Sequence, residues 1–574
     1  MTGHTFPALA SVRRLPNVFD IAAVLCIGGL LFAFASGARQ TVIPLDQVSD
    51  ISLDPSYLPG YALRTTMRMA AALVCSLLFT FTYATWAAKS RRAGLVLVPI
   101  LDILQSVPII GFLTFTVVFF MGLFPGRVLG VELAAIFAIF TSQAWNMAFS
   151  LYQSLKTVPP DLAEAATAFR LSAWQKFWRM EVPFAMPGLV WNAMMSVSGG
   201  WFFVVASEAV TVGSNTWKLP GIGSYVAVAL ENRDILAVFY AIGTMLLVIL
   251  AYDQLLFRPL VAWSAKFRFE MTSGAVAEDP WVLKLLRRTR VLAAGIDALA
   301  VVFNALTGLR LSRRSSRAVI TGRAPSKLWD WVFGGALAVL VVLAAWQIVT
   351  YVSASLTWAD LGETLLLGLF TMVRVIVLMI VATAIWVPIG VWLGLRPKWA
   401  RRAQPVAQFL AAFPANLFFP IFVVAIVHWH LSPDIWLTPL MVLGAQWYIL
   451  FNVIAGAAAF PGDLLEVSSN FRIGGLLWWR RVILPGIFSY YVTGAITASG
   501  GAWNAAIVSE VAAWGSDHIS AHGLGAYIAE ASADDNGSSK VVLGVAVMSL
   551  FVLLFNRLVW RPMYGYAARR FTFS

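Results

Sequence analysis

Four charged residues stand inside apolar stretches of the sequence, where an unpaired charge is costly, and they are the first candidates for chemistry. Arg68 and Arg374 each interrupt a long apolar run, and Glu208 and Glu510 each stand near the end of another. An arginine in such surroundings attracts either an anionic solute or a carboxylate on a neighbouring helix. We predict that these residues mainly pair helices or anchor interfaces, with contact to a solute as the alternative.

A further candidate is Glu164, in the polar stretch EAATAFRLSAWQKFWRMEVPFAMPG (164–188), which has a counterpart that begins at Glu466. In PPDLAE and PGDLLE an aspartate, Asp161 or Asp463, precedes the glutamate by three residues. This spacing is typical of a capping box at a helix N-terminus. We therefore predict that the two aspartates are N-caps, and that the glutamates close the caps rather than act as catalytic carboxylates.

The residues downstream of the first cap predict one short amphipathic helix. Four of them recur at helical spacing, namely Arg170, Trp174, Phe177 and Trp178. Residues at such spacing share one face of a helix. Pro183 and Pro187 are expected to end this helix before the next apolar run.

The sequence contains no other set of residues with recognisable chemistry. It has no G-x-x-x-x-G-K-[ST] loop to hold nucleotide phosphates, no H-E-x-x-H and no C-x-x-C pair. His428 and His430 lie two residues apart with no third ligand, which is more typical of interfacial residues than of a metal site. Neither enzymatic activity nor a cofactor bound by this chain is expected.

The composition indicates the environment of these residues. Of the 574 residues, 60% are hydrophobic and only 12% are charged, whereas soluble domains carry about 25% charged residues. We therefore predict an integral membrane protein. The net charge of +13 fits basic loops at one membrane face and gives no reason to expect a nucleic-acid partner.

The apolar runs predict about twelve membrane-spanning helices, because about 20 apolar residues cross a bilayer. The predicted spans lie near 18–36, 63–87, 95–123, 131–155, 186–211, 236–257, 329–350, 363–395, 404–427, 436–459, 487–511 and 541–560. The first run also resembles a cleavable signal peptide, but we favour a retained helix because the second half begins with its own span. Basic residues in alternate loops place those loops, and both termini, in the cytoplasm.

The two halves of the chain are copies of each other. A shift of 302 residues superposes Asp161 on Asp463, Glu164 on Glu466, Glu208 on Glu510, and GIGSY (221–225) on GLGAY (523–527). A shift of 306 residues pairs Arg68 with Arg374. Because each copy has an even number of spans, we expect two parallel six-helix repeats related by a pseudo-twofold axis along the membrane normal.

This repeat divides the chain into three parts. The first repeat takes 1–260, with a core at about 60–260, and the second takes 329–574, with a core at about 360–565. The linker between them, 261–328, holds twelve Lys and Arg against four Asp and Glu. Its segment 281–308 predicts an amphipathic helix on the anionic inner leaflet, with a solvated tether as an equally weighted alternative.

An interface between two such repeats is the expected place for a pathway across the membrane. The candidates to line it are the four charged residues already named, Arg68, Arg374, Glu208 and Glu510, together with Gln143, Trp145, Asn146, Trp201, Gln446, Trp447, Trp503 and Asn504.

Beside these patterns, the chain resembles a known family. The EAA stretch, followed by a loop, a hydrophobic residue and proline, is similar to the cytoplasmic EAA loop of permeases from binding-protein-dependent ABC importers. EVPFAMPGLVWNAMMSVSGGWFFVVASE (181–208) with LPGIGSY (219–225) resembles the nitrate, sulfonate and taurine type, as does ILPGIFSYYVTGAITASGGAWNAAIVSE (483–510) with GLGAY. Those permeases usually dimerise from separate chains, whereas here two halves are fused.

The resemblance implies an all-α permease of a bacterial-type inner membrane that moves a small anionic solute inward through the lipid bilayer. It also implies two ABC ATPase subunits, which hold the ATP and Mg, and a periplasmic or lipid-anchored solute-binding protein. Finally, it implies two coupling helices that seat in the ATPases. The residues carried over are Asp161, Glu164, Ala165, Ala166, Phe169 and Arg170 in the first copy, and Asp463, Glu466, Phe471 and Arg472 in the second. Relatives carry glycine where this chain has Arg170 and Arg472.

The main alternative is an ion- or proton-coupled secondary transporter of the major-facilitator type, which also has six plus six spans and a long central loop. Such a protein would carry a Gly/Asp/Arg signature after its second span, where this chain reads AAKSRRAG (87–94). The matched polar loops follow the fourth and tenth spans instead, which favours the importer. A membrane scaffold without transport is the third hypothesis.

Overall fold

The computed structural model describes residues 18–40, 43–44, 50–106, 109, 111, 113–212, 215–267, 281–309, 327–460, 462–514, 517–534 and 536–570. These residues are mostly helical. They fall into two units. The smaller unit comprises Met1–Gln40, Val158–Val190 and Gln254–Gly322, and the larger comprises Thr41–Thr157, Trp191–Asp253 and Arg323–Ser574.

The helices and strands of the first half, up to the linker, are α1 (Val18–Gln40), α2 (Leu58–Lys89), α3 (Arg91–Ser106), α4 (Leu113–Leu123), α5 (Val128–Lys156), α6 (Pro160–Ala168), α7 (Ala173–Lys176), α8 (Val182–Glu208), β1 (Ala209–Val212), β2 (Asn215–Lys218), α9 (Ile222–Glu231), α10 (Ile235–Tyr252) and α11 (Arg258–Ser264).

The linker and the second half continue with α12 (Trp281–Arg288), α13 (Arg290–Gly308), α14 (Lys327–Ser353), α15 (Trp358–Gly394), α16 (Pro397–Ala412), α17 (Phe419–His428), α18 (Pro433–Trp436), α19 (Leu440–Leu443), α20 (Gln446–Ala458), α21 (Gly462–Asn470), α22 (Gly475–Trp478), α23 (Leu484–Ser509), β3 (Val511–Trp514), β4 (Asp517–Ser520), α24 (Leu524–Ala533), α25 (Ser538–Phe555) and α26 (Arg561–Arg570).

Several predicted spans are interrupted in the structure. Among the described residues, eight helical stretches are long and apolar enough to cross a membrane, and two bent pairs bring the number to ten. The pair at 405–428 bends by 76°, because Phe413 precedes a proline and leaves the helical conformation with ψ of 128°. The predicted span near 95–123 is likewise divided, into α3 and α4.

Small residues allow the helices of the larger unit to approach closely, as is common between membrane helices. A Cβ on Gly494 of α23 would lie 2.6 Å from Tyr448 O of α20, and one on Gly390 of α15 would lie 2.8 Å from Val453 of α20. The core of the second half therefore forms where α15, α20 and α23 meet.

Two kinds of contact between the halves, both within the larger unit, are reciprocal. Helix α9 packs against β3 and α24 packs against β1, and α3 contacts α25 as α16 contacts α10. Each contact is thus repeated with the halves exchanged, as in a twofold interface.

Two short β-hairpins interrupt the expected all-α architecture. In the first, β1 pairs antiparallel with β2, and in the second, β3 pairs antiparallel with β4. Each strand has four residues, which is too short for an alternating pattern to reveal in the sequence. The second hairpin lies 302 residues after the first.

The N-caps predicted for α6 and α21 are wrong. Helix α6 begins at Pro160 on Pro159 as N-cap, without a side-chain cap, so Asp161 lies inside the first turn and forms no capping box with Glu164. Proline at the first helical position has its φ already set and lacks the N–H that a cap would satisfy, so the helix begins earlier than predicted. Asp463 also lies inside the first turn of its helix, α21.

The single amphipathic helix predicted after Glu164 is also wrong, because the chain turns after Ala168 and begins α7 at Ala173. Here Ser172 is the N-cap and forms a reciprocal capping box with Gln175. The letters SAWQ contain this pattern, which the prediction of a single helix overlooks. Pro183 does not end the helix. A π-turn bonds Val182 N to Phe177 O directly before this proline, which changes the register where an N–H is missing.

Candidate functional site

Arg68 forms a fully buried ion cluster with two glutamates. Its Nε and Nη2 atoms donate to the two oxygens of Glu132 at 2.6 and 2.7 Å, and its Nη1 donates to Glu208 Oε1 at 2.7 Å. A two-point contact of this kind is the strong form of an arginine–carboxylate bond. The arginine thereby joins α2, α5 and the end of α8.

Residues of the GIGSY motif bind the Glu208 carboxylate. Gly223 N donates to Glu208 Oε2 at 2.6 Å, and Thr65 Oγ1 donates to Oε1 at 2.7 Å. A Cβ on Gly221 would collide with the same carboxyl group. Because the N-terminus of a helix presents free N–H groups and a partial positive charge, the start of α9 suits a carboxylate.

Tyr225, the last residue of this motif, holds the segment before α2. Its Oη donates to Leu53 O at 2.9 Å. Burial is the main cause that raises the pKa of this phenol above its ordinary value. The phenol is therefore protonated, and able to donate, at neutral pH.

The second half contains the same cluster in a more open form. Arg374 donates to Glu510 at 3.0 Å and to Asp434 at 2.7 Å. Asp434 also accepts from His522 N at 2.7 Å, and its side chain is 41% exposed, compared with 6% for Glu132. Asp434 stands 302 residues after Glu132, so the shift that aligned the other residues contained this pair, which we had not recognised.

A cavity of about 840 Å³ lies in the larger unit and is lined by both halves. This volume is within the range of small-molecule binding sites. Its polar lining includes Gln105, Ser142, Asn146, Asn192, Ser196, Tyr448, Thr497 and Asn504, and its aromatic lining includes Trp145, Phe149, Phe202, Phe413, Trp503 and Trp560. Among the described residues that line it, Arg561 is the only one with a charged side chain.

Two asparagines join the halves, Asn504 in the lining of this cavity and Asn416 through a bond to a residue of that lining. Asn504 Oδ1 accepts a hydrogen bond from Ile109 N at 2.7 Å, and Asn416 Nδ2 donates to Phe202 O at 3.1 Å. The donor of the first bond lies in the first half of the chain, and the donor of the second bond lies in the second half. The walls of the cavity are thus fixed to each other by amide groups.

The structure places four of the twelve pathway candidates on this cavity, namely Trp145, Asn146, Trp503 and Asn504. Trp201 is buried and packs on Tyr252. Gln143 is buried with its Nε2 2.9 Å from Met69 Sδ. Gln446 accepts from Trp386 Nε1 at 2.9 Å, and Trp447 packs on Trp386 with ring centroids 5.1 Å apart. The four charged candidates, Arg68, Arg374, Glu208 and Glu510, lie in the ion clusters described above.

The two short helices α6 and α21 present matched exposed aromatic residues. Phe169 follows α6 and is 79% exposed, and Phe471 follows α21 and is 76% exposed. Glu164 and Ala165 are exposed on α6, as Glu466 is on α21, whereas Ala166 is buried. An exposed phenylalanine thus stands at the same place in both copies.

Both short helices end in the same Schellman motif. Leu171 N donates to Ala166 O at 3.1 Å and Arg170 N donates to Thr167 O at 3.0 Å. In the second half Ile473 and Arg472 make the corresponding bonds to Ser468 and Ser469, both at 2.9 Å. The residue at the turn takes a left-handed conformation. Arg170 and Arg472 occupy it, each with φ of 50°.

Comparison with known proteins assigns the chain. A family model described as the inner membrane component of binding-protein-dependent transport systems matches residues 51–257 and 386–561. The chain belongs to this family. It is a multi-pass membrane transport permease with two copies of the permease domain, which excludes the major-facilitator alternative.

Individual relatives cover the chain in part. The bicarbonate transport system permease protein CmpB of Synechocystis sp. is 30% identical over 132 residues, which are 22% of this chain and 45% of the relative. The glycine betaine/carnitine transport permease protein GbuB of Listeria monocytogenes is 29% identical over 192 residues, 33% of this chain and 62% of the relative. The nitrate import permease protein NrtB of Leptolyngbya laminosa is 22% identical over 240 residues, 40% and 81% respectively. The chain thus spans about half the length of the first two relatives.

Proposed function

We propose that this permease is the membrane-spanning subunit of an ATP-driven importer that moves a small anionic solute from the periplasm to the cytoplasm. The observation that carries the proposal is the cavity between the two halves. Both halves line it, and hydrogen bonds from asparagine side chains join its walls. A site of this kind opens to one side or the other when the halves move relative to each other. The chain would lie in the inner membrane with both termini in the cytoplasm.

The lining of the cavity supports an anion as the solute. Its described residues offer amide, hydroxyl and indole groups and the cation of Arg561, and they include no carboxylate. An anion therefore meets hydrogen-bond donors without a like charge. The names of two relatives, for bicarbonate and for nitrate, agree with this class.

A zwitterion with a quaternary ammonium group is the second candidate solute. Ten aromatic residues are among those that line the cavity, and aromatic faces attract such cations. One relative is named for glycine betaine and carnitine. Competition between an anion and a betaine in the same uptake assay separates the two candidates.

Energy would come from partner subunits, because the sequence contains no phosphate-binding loop. Two ATPase subunits would hold the ATP and Mg and would receive α6 and α21, including Asp161, Glu164, Phe169 and Arg170 and their counterparts. A solute-binding protein would deliver the solute at the outer face. ATP would then shift the permease between access states because it binds those states unequally.

The first experiment is affinity purification of the full chain from native membranes, followed by reconstitution in proteoliposomes with the proteins that accompany it. We expect an ATPase to co-purify. Transport of a radiolabelled anion across the vesicle membrane should require ATP on the side where the ATPase is bound. Uptake without ATP, in the absence of any ATPase, would refute the importer.

Phe169→Ala and Phe471→Ala test the coupling surfaces in the same vesicles. Each should lower the uptake per ATP hydrolysed, because the exposed ring is lost from the surface that the ATPase covers. Phe32→Ala is the control, since Phe32 of α1 is also 76% exposed but lies on neither coupling helix. Equal coupling in all three variants would show that α6 and α21 are not the docking elements.

A further inference from the structure

The linker helix α13 is fastened to the segment that follows the first coupling helix. Trp174 Nε1 donates to Leu306 O at 2.9 Å, and Gln175 Nε2 donates to Gly308 O at 2.8 Å. Trp178 adds an edge-to-face contact with Phe303, with ring centroids 5.8 Å apart. The last carbonyl groups of a helix have no partner within it, so α7 supplies donors that α13 needs. All of these residues belong to the smaller unit.

Gln175 carries out two tasks at once. Its Oε1 accepts from Ser172 N at 3.1 Å, which closes the capping box of α7, while its Nε2 holds the end of α13. Only 8% of the residue is exposed. The turn that connects α6 to the next long helix is therefore fixed both by its own cap and by the linker.

The second half lacks every one of these devices at the matched positions. Residues 302 positions after Ser172, Ala173, Trp174 and Gln175 are Gly474, Gly475, Leu476 and Leu477. The helix that follows, α22, has no side-chain cap, and Gly475 takes a left-handed conformation with φ of 59°. Leu476 is 83% exposed and Leu477 is 56% exposed, so these two leucines do not hold a buried partner.

We propose that α13 makes the first coupling segment a stiff lever, whereas the Gly-Gly turn leaves the second a flexible one, so that the two ATPase seats transmit motion unequally. This inference rests on the proposed function and deepens it. The ATPase pair would meet α6, whose following turn is held by α13, and α21, whose following turn has no such linker contact among the described residues. Two glycines in a connecting turn allow many backbone conformations, whereas a capped turn held at two further points allows few.

The test uses the double variant Trp174→Phe/Gln175→Glu in the full chain with its co-purified ATPase. Phenylalanine keeps an aromatic ring and glutamate keeps the capping box, but neither side chain donates to the carbonyl groups of α13. Hydrogen exchange of 290–308 should accelerate at least about tenfold. Uptake per ATP hydrolysed should fall to about half or less, because one of the two levers loses its brace.

The matched control is Leu476→Phe/Leu477→Glu, which places the same residues in the second half and should leave hydrogen exchange of 290–308 at the wild-type rate. Accelerated exchange with unchanged uptake per ATP would show that the stiffness of this segment does not affect coupling. Unchanged exchange in the Trp174/Gln175 variant would show that these two side chains do not stabilise α13. If the wild-type chain shows no ATPase partner, the proposed function fails and this inference fails with it. A coupling defect confined to the first-half variant supports the inference.

Discussion

Arg170 and Arg472 have the same left-handed backbone, each with φ of 50°, at positions 302 residues apart. Both stand at the turn of a Schellman motif, where glycine is favoured because it has no Cβ. This geometry fits the glycine that the family resemblance leads one to expect where this chain carries arginine. Arginine is tolerated at this turn with some backbone strain.

Replacement of this arginine by glycine should therefore stabilise the fold. Arg170→Gly is expected to raise the free energy of unfolding by about 0.5–1 kcal/mol, since glycine adopts the left-handed region without a steric penalty. Arg170→Val should lower it, because a β-branched residue is disfavoured there. Thermal unfolding in detergent, followed by tryptophan fluorescence, measures both. A lower melting temperature for the glycine variant would contradict the assignment of strain.

Removal of the central arginine should lower the free energy of unfolding by different amounts in the two ion clusters. Arg68→Ala leaves Glu132 and Glu208 buried without their cation, which costs about 3–5 kcal/mol for a buried pair. Arg374→Ala should cost less, because the Asp434 side chain is 41% exposed and water can replace the arginine. Urea unfolding of the two variants gives the comparison.

The control for this comparison is Lys218→Ala. Lys218 pairs with Glu231 at 2.6 Å, but the glutamate side chain is 55% exposed, so the change should cost at most about 1 kcal/mol. Equal losses for Arg68→Ala and Lys218→Ala would show that the buried cluster does not stabilise the fold.

The first glycine of GIGSY and of GLGAY should not accept a side chain. A Cβ at Gly221 would collide with the Glu208 carboxyl group, and one at Gly523 with that of Glu510. We expect Gly221→Ala and Gly523→Ala each to reduce the yield of monodisperse protein at least severalfold in size-exclusion chromatography. Gly243→Ala, where a Cβ would meet nothing within 4 Å, should leave the yield unchanged.

Substitutions of Asn504 can distinguish its structural role between the halves from a role in solute binding. Asn504→Asp keeps an oxygen that accepts from Ile109 N, so the melting temperature should stay near the wild-type value, but it adds a negative charge to the lining. For an anionic solute the KM of uptake should rise at least about tenfold, which corresponds to about 1.4 kcal/mol. An unchanged KM would remove the anion from consideration.

Asn504→Leu is the companion variant. It leaves Ile109 N without its acceptor at a buried position, which should cost about 1–3 kcal/mol. Thermal unfolding should therefore separate the two substitutions, with leucine destabilising and aspartate not. Equal melting temperatures for the two variants would show that the bond between the halves contributes little.

Sequence patterns predicted the membrane helices, the repeat and the family, because these depend on composition and on spacing that persists over hundreds of residues. They did not predict the breaks at Phe413 and between α3 and α4, where local backbone geometry decides. The N-cap assignment failed at Asp161 because a proline at the first helical position competes with a capping aspartate, and both fit the same letters.

The site was less predictable than the fold. Arg68 and Glu208 were recognised as important, but their partner Glu132 stands in a different helix, and a pairing across 64 residues leaves no local signal. Asn504 was a candidate for the pathway, but its partner Ile109 is 395 positions away and carries no charge that would mark it. Only folding brings such groups together, so four of the twelve candidates, Trp145, Asn146, Trp503 and Asn504, line the cavity, whereas the four charged candidates do not.

The covalent fusion of the halves has a consequence for how the protein varies. Two copies in one polypeptide are synthesised in a fixed one-to-one ratio, and no molecule can contain two first halves or two second halves. Matched positions 302 residues apart can therefore carry different residues, as Glu132 and Asp434 do, and Pro220 and His522. Every molecule then contains one copy of each half, and no mixture of different dimers arises. Selection acts on each half separately, and a division of labour between them is inherited with a single gene.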